Sequence, residues 1–209
     1  MFNFTGKTAV VAGGLGLIGK PTVKLLKELG ANVYVADTAA EEPIDVSDYH
    51  CISNYISGCV PDYFINCTYP EFIKDHLASF LVPARVMAKA MWKKGGAIIN
   101  LSSIYGVINP YYWLYPYSGV KPPSEEYCAV KEEIIQMSLD MAKAFKGRIR
   151  VNCVSPGGVM DCQSEEFQWA YGTMAPMIKP EEVAQAIVFL VGCEAITGIN
   201  LIVDRGFTL

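Results

Sequence analysis

No apolar run in this sequence approaches the roughly 18 residues that a membrane-crossing helix needs, so no membrane association is expected. The first residues, MFNFTGKTAVVAGG, lack the basic stretch, apolar run and cleavage site that make up a secretory leader, and none is expected. Lys and Arg form no cluster and the net charge is -4, which argues against a nucleic-acid partner. The seven cysteines are odd in number, and no two have C-x-x-C spacing. That excludes a disulfide framework and a zinc site, leaves no metal expected, and points to reduced thiols in the cytoplasm. There is no internal repeat and no low-complexity segment. Charged residues are sparse, at 18%, against 52% hydrophobic, so the chain is globular. Its 209 residues suit one well-filled core and are too few for two comfortable domains, so residues 1–209 are read as one domain.

What is present is an alternation of strand-like and helix-like segments. Residues 7–13 form a short β-branched run that ends in glycine. Residues 17–29 then carry Ile18, Val23, Leu25, Leu26 and Leu29 at helical spacing, with Gly30 as a stop. Further strands are expected at 32–37, 62–68, 97–103, 148–156 and 198–204. Helices are expected near 47–58, 72–93, 123–146 and 180–192. Strands in alternation with helices predict an α/β fold, a doubly wound parallel sheet covered on both faces.

Two patterns carry chemistry. In AGGLGLIGK, Gly14, Gly16 and Gly19 fit G-x-G-x-x-G between the first strand and the first helix. Glycines there allow a tight turn, and the helix N-terminus offers free N–H groups to a pyrophosphate. Asp37 ends the second strand, 18 positions after Gly19, where a carboxylate can hold ribose hydroxyls. The plainer reading of Asp37 is a capping or solvated side chain. A carboxylate repels a 2′-phosphate, and DTAAEEP offers no arginine to receive one, so NAD(H) is expected over NADP(H).

The second pattern is YCAVK. Tyr127 and Lys131 are four apart in an expected helix and share a face. Alone, this spacing is common on exposed helices. A tyrosine with pKa about 10 is a poor base at neutral pH, but a neighbouring ammonium favours its phenolate. It can then exchange a proton with a reacting hydroxyl, while Ser103, at the end of a strand, hydrogen-bonds the reacting oxygen.

With these residues in view, nearly the whole chain resembles the short-chain dehydrogenase/reductase family, which has a single-domain Rossmann fold. INLSSIYG resembles the family's serine motif, and YCAVK its tyrosine-lysine motif. The resemblance implies catalytic roles for Ser103, Tyr127 and Lys131. RIRVNCVSPGGV resembles the segment bordering the nicotinamide, at Pro156, Gly157 and Val159. DVSD implies adenine-side contacts from Asp45 and Val46. The closing ITGINLIVDRG resembles TG…VDGG, with Arg205 in place of a glycine. SSIYGV, a long insert and EYCAVK together resemble the branch found in flagellin-modification and nonulosonic-acid or surface-polysaccharide gene sets. A small-molecule substrate and a homodimer or homotetramer, packed through the helices near 72–93 and 123–146, are also implied by the family.

The chain departs from the family in several places. Leu17 stands where glycine is commoner, and Gly13, Gly16 and Gly19 look like the spacing of extended, sugar-nucleotide-modifying relatives. The turn Gly13, Gly16, Leu17, Ile18 and Gly19 is still expected to hold the pyrophosphate through its backbone. Only eight positions separate Asp37 from Asp45, so a helix is expected to be missing and the fold shortened after the second strand. NCTYP replaces NNAG: Asn66 matches, while Cys67 and Thr68 do not, and all three are expected beside the cofactor. The family's asparagine that orders a relay water has no counterpart. Aligned from Met91 the position is His76, and aligned from Phe80 it is Asp75. The alternative for His76 is a surface or core histidine.

From Ser103 to Tyr127 is 24 positions, about twice the family's usual gap. The insert carries Tyr111, Tyr112, Trp113, Tyr115 and Tyr117 among Pro110, Pro116, Pro122 and Pro123. Two readings stand for it. Tyr111, Tyr112, Trp113 and Tyr115 line a substrate pocket, since aromatic faces stack on sugars; or they pack an oligomer interface or cap the core. Residues 160–180, with Phe167, Trp169 and Tyr171, show no clean helical stripe and read as a segment that closes over ligand or moves. The expected activity is NAD(H)-dependent interconversion of a secondary alcohol and a ketone, on a sugar or sugar phosphate. The alternatives are a catalytically weak NAD-binding regulator or scaffold, and a nucleotide-sugar epimerase or dehydratase, for which the chain is short.

Overall fold

A computed structural model describes residues 2–69, 73–116, 120–161 and 163–209, the side chains of 73–76 excepted. Its strands are β1 (Thr8–Ala12), β2 (Asn32–Ala36), β3 (Tyr63–Asn66), β4 (Gly96–Leu101), β5 (Ile149–Pro156) and β6 (Asn200–Val203). All pair in parallel, in the order β2-β1-β3-β4-β5-β6. Parallel pairing demands crossover helices, and these cover both faces.

The strand residues divide by parity. Val10, Phe64, Ile98 and Val151 face a layer that includes Ile52 of α2 (Tyr49–Tyr55), Met87 and Met91 of α3 (Ile73–Met91) and Ala142 of α4 (Glu125–Phe145). Val11, Ile65, Ile99 and Val154 face Leu26 of α1 (Gly19–Glu28) and Ile187 and Leu190 of α6 (Pro180–Gly192). This two-sided burial is why the strands read as continuous apolar runs instead of alternating ones.

The shortening after the second strand is larger than the loss of one helix. In a doubly wound sheet a further strand lies outside the second. Here β2 is the sheet edge, and α2 is the only helix between β2 and β3 among the described residues. α2 is tied back to that edge by Tyr55, whose hydroxyl donates to the Val35 carbonyl at 2.8 Å.

The 160–180 segment contains a helix that its aromatic spacing hides, α5 (Glu165–Gly172). Ser164 caps it by accepting from the Phe167 N–H at 3.2 Å. Phe167 and Tyr171, one turn apart, are buried, while Trp169 points out and is 76% exposed. Tyr171 stacks on the buried Phe207 with centroids 4.3 Å apart, so the C-terminal residues and α5 share one core. Because every strand is parallel, Gly13, Asp37, Cys67, Ser102 and Gly157 all emerge at one edge of the sheet, and the site forms there.

Candidate active site

The loop after β1 is shaped by its glycines. Gly13 has a positive φ of 69°, and a Cβ there would lie 2.6 Å from the Cys67 carbonyl oxygen. The turn therefore lies flat against the loop after β3. Asp37 reaches across to it: its carboxylate accepts the Leu15 N–H at 2.9 Å and the Ala39 N–H at 2.9 Å. Asp37 thus both fixes the glycine loop and presents an anion at the mouth of the cleft.

A cleft of about 930 Å³ runs along this edge. Gly13, Gly16, Leu17 and Ile18 form one wall, with Asp37, Asp45 and Val46 at one end. Cys67, Thr68, Ser103, Tyr127, Lys131, Pro156, Gly157 and Val159 form the other end. Gly19 and Asn66 are buried behind this surface and do not line it. Asn66 acts from there, donating to the Ser79 carbonyl at 3.1 Å and accepting the Thr68 hydroxyl at 2.7 Å. Asp45 accepts the Ser47 hydroxyl at 2.6 Å. The glycine backbone, the terminal acid and the volume of the cleft fit an extended dinucleotide.

Ser103, Tyr127 and Lys131 come from two elements that are fastened together. Ser102 donates from its hydroxyl to the Lys131 main-chain carbonyl at 2.6 Å, joining the end of β4 to α4. Ser124 caps α4 by accepting the Tyr127 N–H at 3.1 Å. The Lys131 Nζ lies 5.5 Å from the Tyr127 ring centroid, and Ser103 and Tyr127 line the same cleft. Burial pushes the Lys131 ammonium down to about 8, against the opposing pull of the Cys153 and Cys67 thiols. Burial also pushes the Tyr127 phenol above its ordinary value, with the neighbouring Ser103 hydroxyl acting the other way. In the protein alone, then, the tyrosine is a proton donor rather than a phenolate. The Cys67 thiol, buried at the same spot, is pushed up to about 12.

A second cavity of about 480 Å³ opens beside the first and shares Tyr69, Ser103, Tyr127, Gly157 and Gln163 with it. The insert forms one wall through Tyr115, Val120, Lys121, Pro122 and Pro123, and α5 another through Phe167 and Tyr171. Tyr115 is pinned by a 2.5 Å hydrogen bond between its hydroxyl and that of Tyr105. The four insert aromatics part company here. Tyr115 lines the cavity; Tyr111 packs on Phe207 at 5.6 Å. Tyr112 and Trp113, 50% and 56% exposed, line neither cavity. Tyr117 and the side chains of Asp75 and His76 lie outside the described residues.

Tyr69 is a residue that motif reading passes over. It stands in NCTYP at the rim common to both cavities, its ring 6.2 Å from that of Tyr127 and 5.9 Å from the Lys131 Nζ. The departure from NNAG was the available signal. Leu15, Ser102 and Gln163 also line the cleft without belonging to any pattern that singles them out.

A doubly wound parallel sheet with these groups at its carboxyl edge defines a Rossmann-fold oxidoreductase. A family model described as enoyl-(acyl carrier protein) reductase matches residues 64–208. A post-translational flagellin modification protein A from Campylobacter coli is 31% identical, covering 71% of this chain and 68% of that one. Carbonyl reductase family member 4 from Xenopus laevis is 32% identical, covering 97% and 98%. A 3-oxoacyl-acyl-carrier-protein reductase from Chlamydia trachomatis is 28% identical, covering 96% of each. Among solved structures, a short-chain dehydrogenase from Leptospira borgpetersenii with bound NAD+ superposes with a TM-score of 0.85 at 26% identity, over 99% of this chain and 94% of that one. The chain belongs to the short-chain dehydrogenase/reductase family.

Proposed function

We propose that residues 1–209 act as one NAD(H)-dependent oxidoreductase unit in the cytoplasm, interconverting a secondary alcohol and a ketone on a sugar or sugar phosphate. The observation that carries this is the meeting of Ser103 and Tyr127 where the two cavities join, with Lys131 beside the Tyr127 ring in the larger cleft. The larger cleft then holds the dinucleotide and the smaller cavity the substrate. The glycine turn faces the pyrophosphate with backbone N–H groups, and Asp37 accepts the ribose hydroxyls, which favours NAD(H). When bound, the nicotinamide supplies or accepts the hydride. Ser103 orients the reacting oxygen. Tyr127 donates its proton to that oxygen during reduction and takes it back during oxidation. Lys131 keeps a positive charge beside the phenol and reaches the ribose.

The shared family also supports acyl thioesters as substrates, since curated relatives are named as acyl-carrier-protein reductases. The carbohydrate reading is favoured by the phenols and the glutamine in the smaller cavity, which suit a polyhydroxylated ligand. The deciding assay follows NADH oxidation against keto-sugars, sugar phosphates and acetoacetyl-coenzyme A. Tyr127→Phe should lower turnover by at least about 100-fold while NADH still binds. Tight NADH binding with no turnover on any substrate would instead favour a cofactor-binding regulator, and tighter NADPH binding would reject the cofactor assignment.

A further inference from the structure

The smaller cavity is lined by Tyr69, Tyr105, Tyr115, Phe167, Tyr171 and several small or apolar residues, and by no carboxylate among the described residues. Lys121 is its one charged lining side chain. That lysine is exposed at the mouth and forms no salt bridge among the described residues. The acids that follow it do not line the cavity. Glu126 is engaged with Ser124 at the start of α4, and its carboxyl is held below its usual range by hydrogen bonds to its own backbone and to that serine. Lys121 precedes Pro122 and Pro123, so its backbone is confined to extended conformations and its side chain is presented from a stiff support. The N-terminal end of α4, at Ser124, also borders the cavity and adds positive potential. A cation with no salt bridge among the described residues, beside a cavity with no carboxylate in its described lining, in a protein of net charge -4, focuses anions toward that opening.

We propose that Lys121 selects substrates carrying an anionic group, a phosphate or a carboxylate, remote from the reacting carbon. The reacting carbon sits at Ser103 and Tyr127, and the anion sits at the cavity mouth. This rests on the reading of the smaller cavity as the substrate pocket.

The test titrates the enzyme–NADH complex, by nicotinamide fluorescence, with fructose, fructose 6-phosphate and 5-keto-gluconate. At least one anionic ligand should bind about five-fold more tightly than fructose, the scale of a partly exposed ion pair. Lys121→Gln should abolish that preference, Lys121→Arg should keep it, and NADH affinity should not change in either. The preference should shrink as salt is raised. Equal binding of the three ligands, no binding of either anion, or a preference that survives Lys121→Gln would overturn the proposal. Failure of the dehydrogenase reading shows separately, as a lack of hydride transfer on ligands whose binding still depends on Lys121.

Discussion

The hydroxyl of Ser102 and the main-chain carbonyl of Lys131 lie 2.6 Å apart, both buried, across 29 residues of sequence. This bond sets the register between the segment just after β4, which carries Ser103, and α4, which carries Tyr127 and Lys131. Ser102→Ala removes it without adding bulk. A buried neutral hydrogen bond contributes about 1 kcal/mol, so the urea midpoint should fall accordingly. Turnover should fall further than stability alone explains, because the serine and tyrosine are no longer clamped, while NADH affinity stays close to native. Unchanged turnover in a destabilised protein would show that α4 is held by other contacts.

Asp37 accepts the Leu15 and Ala39 N–H groups and also lines the larger cleft. Asp37→Asn keeps one carbonyl acceptor and removes the charge. The ratio of NADPH to NADH dissociation constants, measured by fluorescence titration, should drop by about ten-fold or more, since a full charge no longer opposes the 2′-phosphate. An unchanged ratio would place the source of discrimination elsewhere.

These two residues differ in how legible they were. Asp37 follows from a local pattern: a glycine turn, a helix, a strand and an acid at a fixed interval. Tyr127 and Lys131 follow from helical spacing. Ser102 is one of two adjacent serines, and only the folded chain shows that its hydroxyl is tied to α4 while Ser103 is shared by both cavities. α5 was hidden because its buried face is just Phe167 and Tyr171, with exposed Trp169 between them breaking the stripe. Tyr69 was hidden because the direction of its ring depends on how the loop after β3 meets α4. The short link after Asp37 predicted a lost helix. The accompanying loss of an outer strand needed the pairing itself, which periodicity does not contain.

The position of Lys131 gives a pH signature. Burial pushes its ammonium down to about 8 in the protein alone, far below the ordinary lysine value. If the charged form binds the cofactor ribose, NADH affinity is full below that pH and falls as the ammonium deprotonates above it. A plot of log Kd against pH should be level to about 8 and then weaken. Lys131→Met should bind NADH less tightly at pH 7 and show no break. A native profile that stays level to pH 10 would mean that Lys131 does not contact the cofactor through its charge.

The insert between Ser103 and Tyr127 divides into an inner and an outer part, and paired variants separate them. Tyr115 is buried, lines the smaller cavity and holds Tyr105 by its hydroxyl. Tyr115→Phe leaves the ring and removes that bond, so the cavity wall is no longer fixed to the serine loop. The substrate KM should rise several-fold, with a stability loss of about 1 kcal/mol and NADH affinity unaltered. Trp113, 56% exposed, touches neither cavity, so Trp113→Ala should leave KM within about two-fold of native. If Trp113 packs against a second copy of the chain, the same substitution shifts the elution volume toward a smaller species while the isolated chain stays folded. A rise in KM for Trp113→Ala with no change in elution would instead bring the outer aromatics into the substrate site and move the cavity wall outward from Tyr115.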